Sequence, residues 1–168
     1  MRQKAAFGAM LLVFLAIFRA VQAETLGSSL GALTVTRVAD GFEVPWALAF
    51  LPNGGLLMTE RAGSLHYVKD GRVQKVRGGP KVVDEGQGGL LDVMVPRDFA
   101  SSREVFLTYS KRQGRGAGTA LAVARLSADH SRLDGVRQLF EAAPGATGGH
   151  HFGARVVEAL DGTLFVSL

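Results

Sequence analysis

The feature that most constrains this chain is a strand–turn–strand unit that recurs along it. Ala47 to Thr59 (ALAFLPNGGLLMT) aligns with Arg155 to Ser167 (RVVEALDGTLFVS), pairing Leu48 with Val156, Asn53 with Asp161, Gly54 with Gly162 and Leu57 with Phe165. A weaker copy lies between them, Gly89 to Pro96 (GLLDVMVP) followed by Arg103 to Tyr109, with a longer turn over Arg97 to Ser102. The copies are spaced about 44 and then about 64 residues apart, the scale of one propeller blade with loop insertions. Apolar residues come in short bursts between turn residues, not in long helical stripes, so the reading is all-β.

The first unit predicts a three-stranded meander. Trp46 to Phe50 reads as a buried strand, Pro52-Asn53-Gly54-Gly55 as a turn, Leu56 to Thr59 and Ser64 to Val68 as further strands, with Lys69-Asp70-Gly71 closing the unit. Trp46 reads as a core anchor. Upstream, Leu33 to Val38 alternates as a strand, and Asp40-Gly41 offers a turn. Thr119 to Leu126 and Val136 to Glu141 predict a hairpin turning at Asp134-Gly135.

Met1 to Ala23 carries Arg2 and Lys4, an apolar run of about 14 residues and small residues at its end, which is signal-peptide grammar; the run is short of the roughly 20 a membrane helix needs. Cleavage after Ala23 leaves residues 24–168 as the mature part, and an uncleaved anchor is the alternative. Without the leader the charge is nearly balanced, 16 basic against 15 acidic residues, which gives little reason to expect nucleic acid or an anionic membrane as partner. The chain has no cysteine, which removes disulfides and thiolate chemistry and leaves core packing as the source of stability.

A propeller needs at least about four blades of some 40 to 50 residues, and the mature part has about 145. The expectation is therefore the amino-terminal portion of a larger propeller, roughly two to three blades ending inside a strand at Leu164 to Leu168; a complete small β-sandwich is the alternative.

Two stretches offer chemistry. Gly148 to Val157 (GGHHFGARVV) presents two histidines at the predicted lip of a strand. Neighbouring strand residues face opposite ways, so His150 and His151 serve one ligand together only if the glycines distort the backbone. Glu85-Gly86-Gln87-Gly88-Gly89 places an amide among glycines that admit close backbone approach; it reads either as a binding loop or as a turn in which Gln87 satisfies local backbone. Neither it nor Gly114 to Gly118 has the P-loop or GxGxxG order, so nucleotide binding is not expected. Lys111 to Arg115 reads as a solvated basic hairpin tip without the aromatic platform of a nucleic-acid site.

Together, Val44 to Arg61, Glu85 to Val93 and Gly148 to Val157 resemble the pyrroloquinoline-quinone-dependent soluble aldose sugar dehydrogenases, the family of soluble glucose dehydrogenase. The three motifs fall in the family's order across nearly the whole mature part. The resemblance implies a six-bladed propeller exported to the periplasm, with pyrroloquinoline quinone (PQQ) and calcium over its axis, oxidising an aldose to its lactone and passing electrons to an external acceptor. It implies that His151, before Phe-Gly-x-Arg, is the catalytic base and that Gln87 binds the sugar. An imidazole of ordinary pKa near 6.5 accepts a proton around neutral pH, and the cofactor supplies the electron sink. Where the glucose enzymes have an aspartate, this chain has His150; Arg155 fits the motif without a catalytic role. The quinone-clamping basic residues and the calcium ligands are expected downstream of Leu168, so the 168 residues alone are expected to be inactive. A non-catalytic binding propeller and a truncated remnant are the competing readings.

Overall fold

The computed structural model describes residues 23–168 and divides into two units, 23–37 and 38–168. The signal-peptide expectation lies outside the described residues, apart from its last residue. Among the described residues no helix is long and apolar enough to cross a membrane.

The first unit is an antiparallel hairpin of β1 (Ala23–Ser28) and β2 (Gly31–Thr36). The alternating stretch from Leu33 supplies most of β2. Ser28 Oγ donates to Gly31 O at 2.7 Å and accepts the Leu30 N–H at 3.2 Å, closing the turn.

In the second unit, β3 (Pro45–Phe50), β4 (Leu56–Glu60), β5 (Leu65–Lys69) and β6 (Arg72–Val76) form one antiparallel meander. The meander has one strand more than the three that the sequence predicts. Asp70 and Gly71 both take positive φ, 50° and 73°, the requirement of a two-residue hairpin turn, and the chain returns as β6. That strand is exposed at four of its five positions, so it carries little apolar alternation to betray it.

A second meander consists of β7 (Leu90–Met94), β8 (Glu104–Gln113), β9 (Gly116–Leu126) and β10 (Leu133–Glu141), again in sequential order. The long turn after β7 holds one helical turn, α1 (Phe99–Ser102). The β9–β10 reversal is not at Asp134-Gly135 but at residues 127–132. Ser127 Oγ accepts the N–H groups of Ser131 and Arg132, both at 3.1 Å, and Asp129 Oδ1 accepts the Ser127 hydroxyl at 2.6 Å. These side chains supply a complete turn of their own. Gly135, at φ 63°, instead marks an irregularity in the β10 ladder between Asp134 and Arg137.

The last hairpin, β11 (Val156–Glu158) and β12 (Leu164–Val166), repeats the first turn atom for atom. Leu51 N–H to Gly55 O and Ala159 N–H to Thr163 O are both 2.8 Å; Asn53 Oδ1 and Asp161 Oδ1 each accept the N–H two residues on, at 2.9 Å. The Ala47 N–H donates to Thr59 Oγ1 and the Arg155 N–H to Ser167 Oγ, both at 3.1 Å. The aligned repeats are therefore one structural unit used twice.

The core lies between the two meanders, where Leu57 and Leu65 meet Leu90, Val93, Leu107 and Leu126. Each fully buried leucine is worth about 1.5–3 kcal/mol. Small residues on β9, Ala120, Ala122 and Ala124, are buried in the same cluster. Thr59 Oγ1 donates to Leu91 O at 2.6 Å and the Leu90 N–H to Arg61 O at 2.9 Å, stitching β4 to β7.

One burial expectation fails. β3 is an edge strand, and only its alternate residues Ala47 and Ala49 pack on the core. Trp46, Leu48 and Phe50 face the other way, Phe50 at 72% exposure, so Trp46 does not anchor this core.

Candidate functional site

In a meander every second connection falls at the same end, and four of them converge here. These are the β4–β5 turn carrying Arg61, the 77–89 segment entering β7, the β8–β9 tip and the 142–155 segment entering β11. Gln87 and His151, far apart in sequence, are brought together at this end.

Two glycine-rich segments interlock to do it. The Gln87 N–H donates to Gly149 O at 2.8 Å, and the His151 N–H donates to the Gln87 side-chain Oε1 at 3.0 Å. A Cβ at Gly86 would stand 2.3 Å from Gly149 O, so only glycine permits this approach. Gln87 thus satisfies backbone, but in a segment 64 residues away.

The histidines do not sit on a strand lip. β11 begins only at Val156, and the backbone before it is left-handed at Gly148, Gly149 and His151, with φ of 116°, 70° and 63°. That distortion brings the two imidazoles to 6.2 Å between centroids, inclined at 61°. Both histidines are exposed, and among the described residues no hydrogen bond engages either imidazole nitrogen of His151. A side chain so placed is available to take a proton from a ligand.

The far end of the histidine segment is held by a residue to which no motif assigns a role. Asp92, 3% exposed on β7, accepts the Val156 N–H at 2.8 Å and Arg155 Nη1 at 3.1 Å. Thr108 Oγ1 donates to Ala154 O at 2.7 Å and accepts the Asp92 N–H at 2.9 Å. The available signal was a lone acid in the apolar run LLDVMV, since a buried carboxylate needs partners. Arg155 is thus a brace.

The basic hairpin tip is exposed at Arg112, Gly114 and Arg115, as expected, and two of its cations are paired. Arg112 pairs with Glu85 and Lys111 with Glu141, each at 2.5 Å, so the tip is tied to the 77–89 segment and to the end of β10.

The fit to a quinone and a metal divides. His151 and Gln87 supply a proton acceptor and an amide, which suit the sugar-facing side of such a site. Arg61, Arg112 and Arg155 are paired with Asp84, Glu85 and Asp92, and among the described residues no group of three or more histidines or acids is disposed to hold a metal ion.

Residues 42–168 match the glucose/sorbosone dehydrogenase family. The chain is 41% identical over 149 residues to the aldose sugar dehydrogenase YliI of Escherichia coli strain K12, covering 86% of this chain and 40% of that protein. A crystal structure of a glucose dehydrogenase superposes with a TM-score of 0.75 at 43% identity, over 78% of this chain and 39% of that one. The PQQ-bound form of the aldose sugar dehydrogenase from Streptomyces coelicolor superposes with a TM-score of 0.66 at 27% identity, over 76% of this chain and 38% of that one. The chain thus spans about two fifths of the length of these relatives, and its two meanders are part of a β-propeller. By the family match over most of its length, this chain belongs to the glucose/sorbosone dehydrogenases.

Proposed function

We propose that this chain forms the sugar-facing part of an exported dehydrogenase that oxidises an aldose at its anomeric carbon to the lactone. The observation that carries the reading is the contact between Gln87 Oε1 and the His151 N–H, which joins two motifs into one site. Its support is the family and the PQQ-bound relative.

In the proposed mechanism Gln87 keeps its carbonyl oxygen on His151 and turns its amide N–H groups to a sugar oxygen. The imidazole of His151 takes the proton of the anomeric hydroxyl as the C–H electron pair leaves, so the anomeric carbon becomes the lactone carbonyl carbon. PQQ, when bound, supplies the acceptor for that hydride. Calcium accompanies the quinone in this proposal, electrons leave to an external acceptor, and residues 1–23 direct export to the periplasm. The 168 residues alone are proposed to lack appreciable activity, since the described residues show no assembled quinone clamp.

The test is aldose oxidation with an artificial acceptor by the complete gene product loaded with PQQ and calcium. Replacing His151 with Ala should lower kcat by about 10²–10⁴-fold, the usual worth of a general base. Unchanged turnover would leave a propeller that binds without this chemistry.

A further inference from the structure

We propose that Arg61, on the β4–β5 turn, is a positioning residue that fixes the 84–90 loop from both sides and so sets where Gln87 presents its amide. The proposal rests on the dehydrogenase reading of Gln87 and His151.

Three contacts bracket Gln87. Arg61 Nη1 donates to Gly86 O at 2.8 Å. Arg61 Nε lies 3.0 Å from Asp84 Oδ1, a charge pair whose N–H is not aligned on the carboxylate. On the far side of the loop, the Arg61 carbonyl accepts the Leu90 N–H at 2.9 Å. The arginine is itself seated on the first meander, its N–H donating to Val44 O at 3.0 Å. The approach is as close as backbone allows, because a Cβ on Gly89 would fall 2.1 Å from Arg61 O.

From this bracket the contacts run on to the proposed base. Gln87 holds Gly149 O with its N–H and the His151 N–H with its side chain. Arg61 therefore acts on the reacting group only through Gln87, with its own charge answered by Asp84. Arg61 holds the Gly86 carbonyl with one arm of a rigid planar fork while its charge stays beside Asp84; a lysine ammonium is a single point of charge on a flexible stem and does not.

The distinguishing measurement is a double-mutant cycle in the complete gene product, loaded with PQQ and calcium. Arg61→Lys should lower kcat/KM for the aldose by about tenfold in the native background and by less than about twofold when Gln87 is already Ala, because the two substitutions break one line of contacts. An equal factor in both backgrounds, or no change in the native one, overturns the proposal, since a bracing role unrelated to Gln87 is additive. Amide hydrogen exchange gives a readout independent of turnover: the Gln87 and His151 amides should exchange faster in Arg61→Lys, and unchanged protection overturns the clamp. Arg61→Lys retains the charge opposite Asp84, so the cycle does not depend on Arg61→Ala folding. Full activity in Gln87→Ala and His151→Ala would instead remove the dehydrogenase reading, and the positioning role with it, whereas loss in both with an additive cycle would remove the positioning role alone.

Discussion

The Gln87 side-chain oxygen accepts the main-chain N–H of His151 at 3.0 Å, so one amide group steadies the segment that carries the proposed base. With one lone pair of Oε1 on His151, the Nε2 hydrogens are the donors Gln87 has left for a ligand.

That division separates two substitutions at position 87. Gln87→Glu keeps an acceptor for the His151 N–H but loses the donors, so it should raise KM for the aldose while leaving the 149–151 backbone ordered. Gln87→Ala loses both and should also destabilise the segment by about 0.5–1.5 kcal/mol, the net worth of one hydrogen bond. Steady-state kinetics and amide exchange at His151 check the pair together.

Gly86→Ala should impair the site without touching an ionisable group. The new methyl would meet Gly149 O at 2.3 Å, at a residue already at φ 60°, so the 148–151 backbone must withdraw. A displacement on the scale of 1 Å costs about 10²-fold in kcat/KM where geometry matters. Kinetics and His151 chemical shifts should change together.

Asp92→Ala should be a stability variant. It strips the buried Val156 N–H of its acceptor and frees the exposed Arg155 guanidinium, with an expected loss of about 1–3 kcal/mol. Asp92→Asn keeps one acceptor for Val156 and should lose less. Urea midpoints order the two.

Acid should weaken the first meander through Glu60. Burial alone would raise its carboxyl, but the Glu43 N–H and His66 outweigh it and hold the carboxyl below its ordinary value of 4.5. The Glu43 N–H reaches Glu60 Oε1 at 2.7 Å and His66 Nε2 reaches Oε2 at 2.6 Å. A lowered folded-state value favours folding wherever the carboxylate is ionised. That contribution is present above 4.5 and is lost as pH falls through the lower folded value. Glu60→Gln should therefore lose less stability than the native chain between about pH 6 and about pH 3 in urea titrations. An identical acid slope in both proteins would remove Glu60 from the account.

How much of this was legible depended on whether the signal was local. The Asn53-Gly54 and Asp161-Gly162 turns were readable because each side chain and glycine forms its turn within a few residues. The hairpin reversal at residues 127–132 is masked by a neighbouring turn signal. Asp134-Gly135 is the louder local signal, yet Ser127, Asp129 and Ser131 complete a turn earlier, leaving Gly135 to bend the strand. Trp46 faces away from this core; apolar character says that a face wants cover, not which neighbour supplies it. His151 and Gln87 were singled out from their motifs, but the contact between them was not readable.

The sequence by itself determined the repeated meander, the all-β class and the family, because turn chemistry and period-two patterning are short-range and recur at matching positions. Tertiary structure alone decided that the 84–90 and 148–151 segments touch, that Asp92 holds the strand after the histidines, and that Arg61 faces the glutamine loop. Those contacts cross from one sheet to the next, where glycine admits backbone to about van der Waals distance, and only the packing of the sheets selects which residues meet.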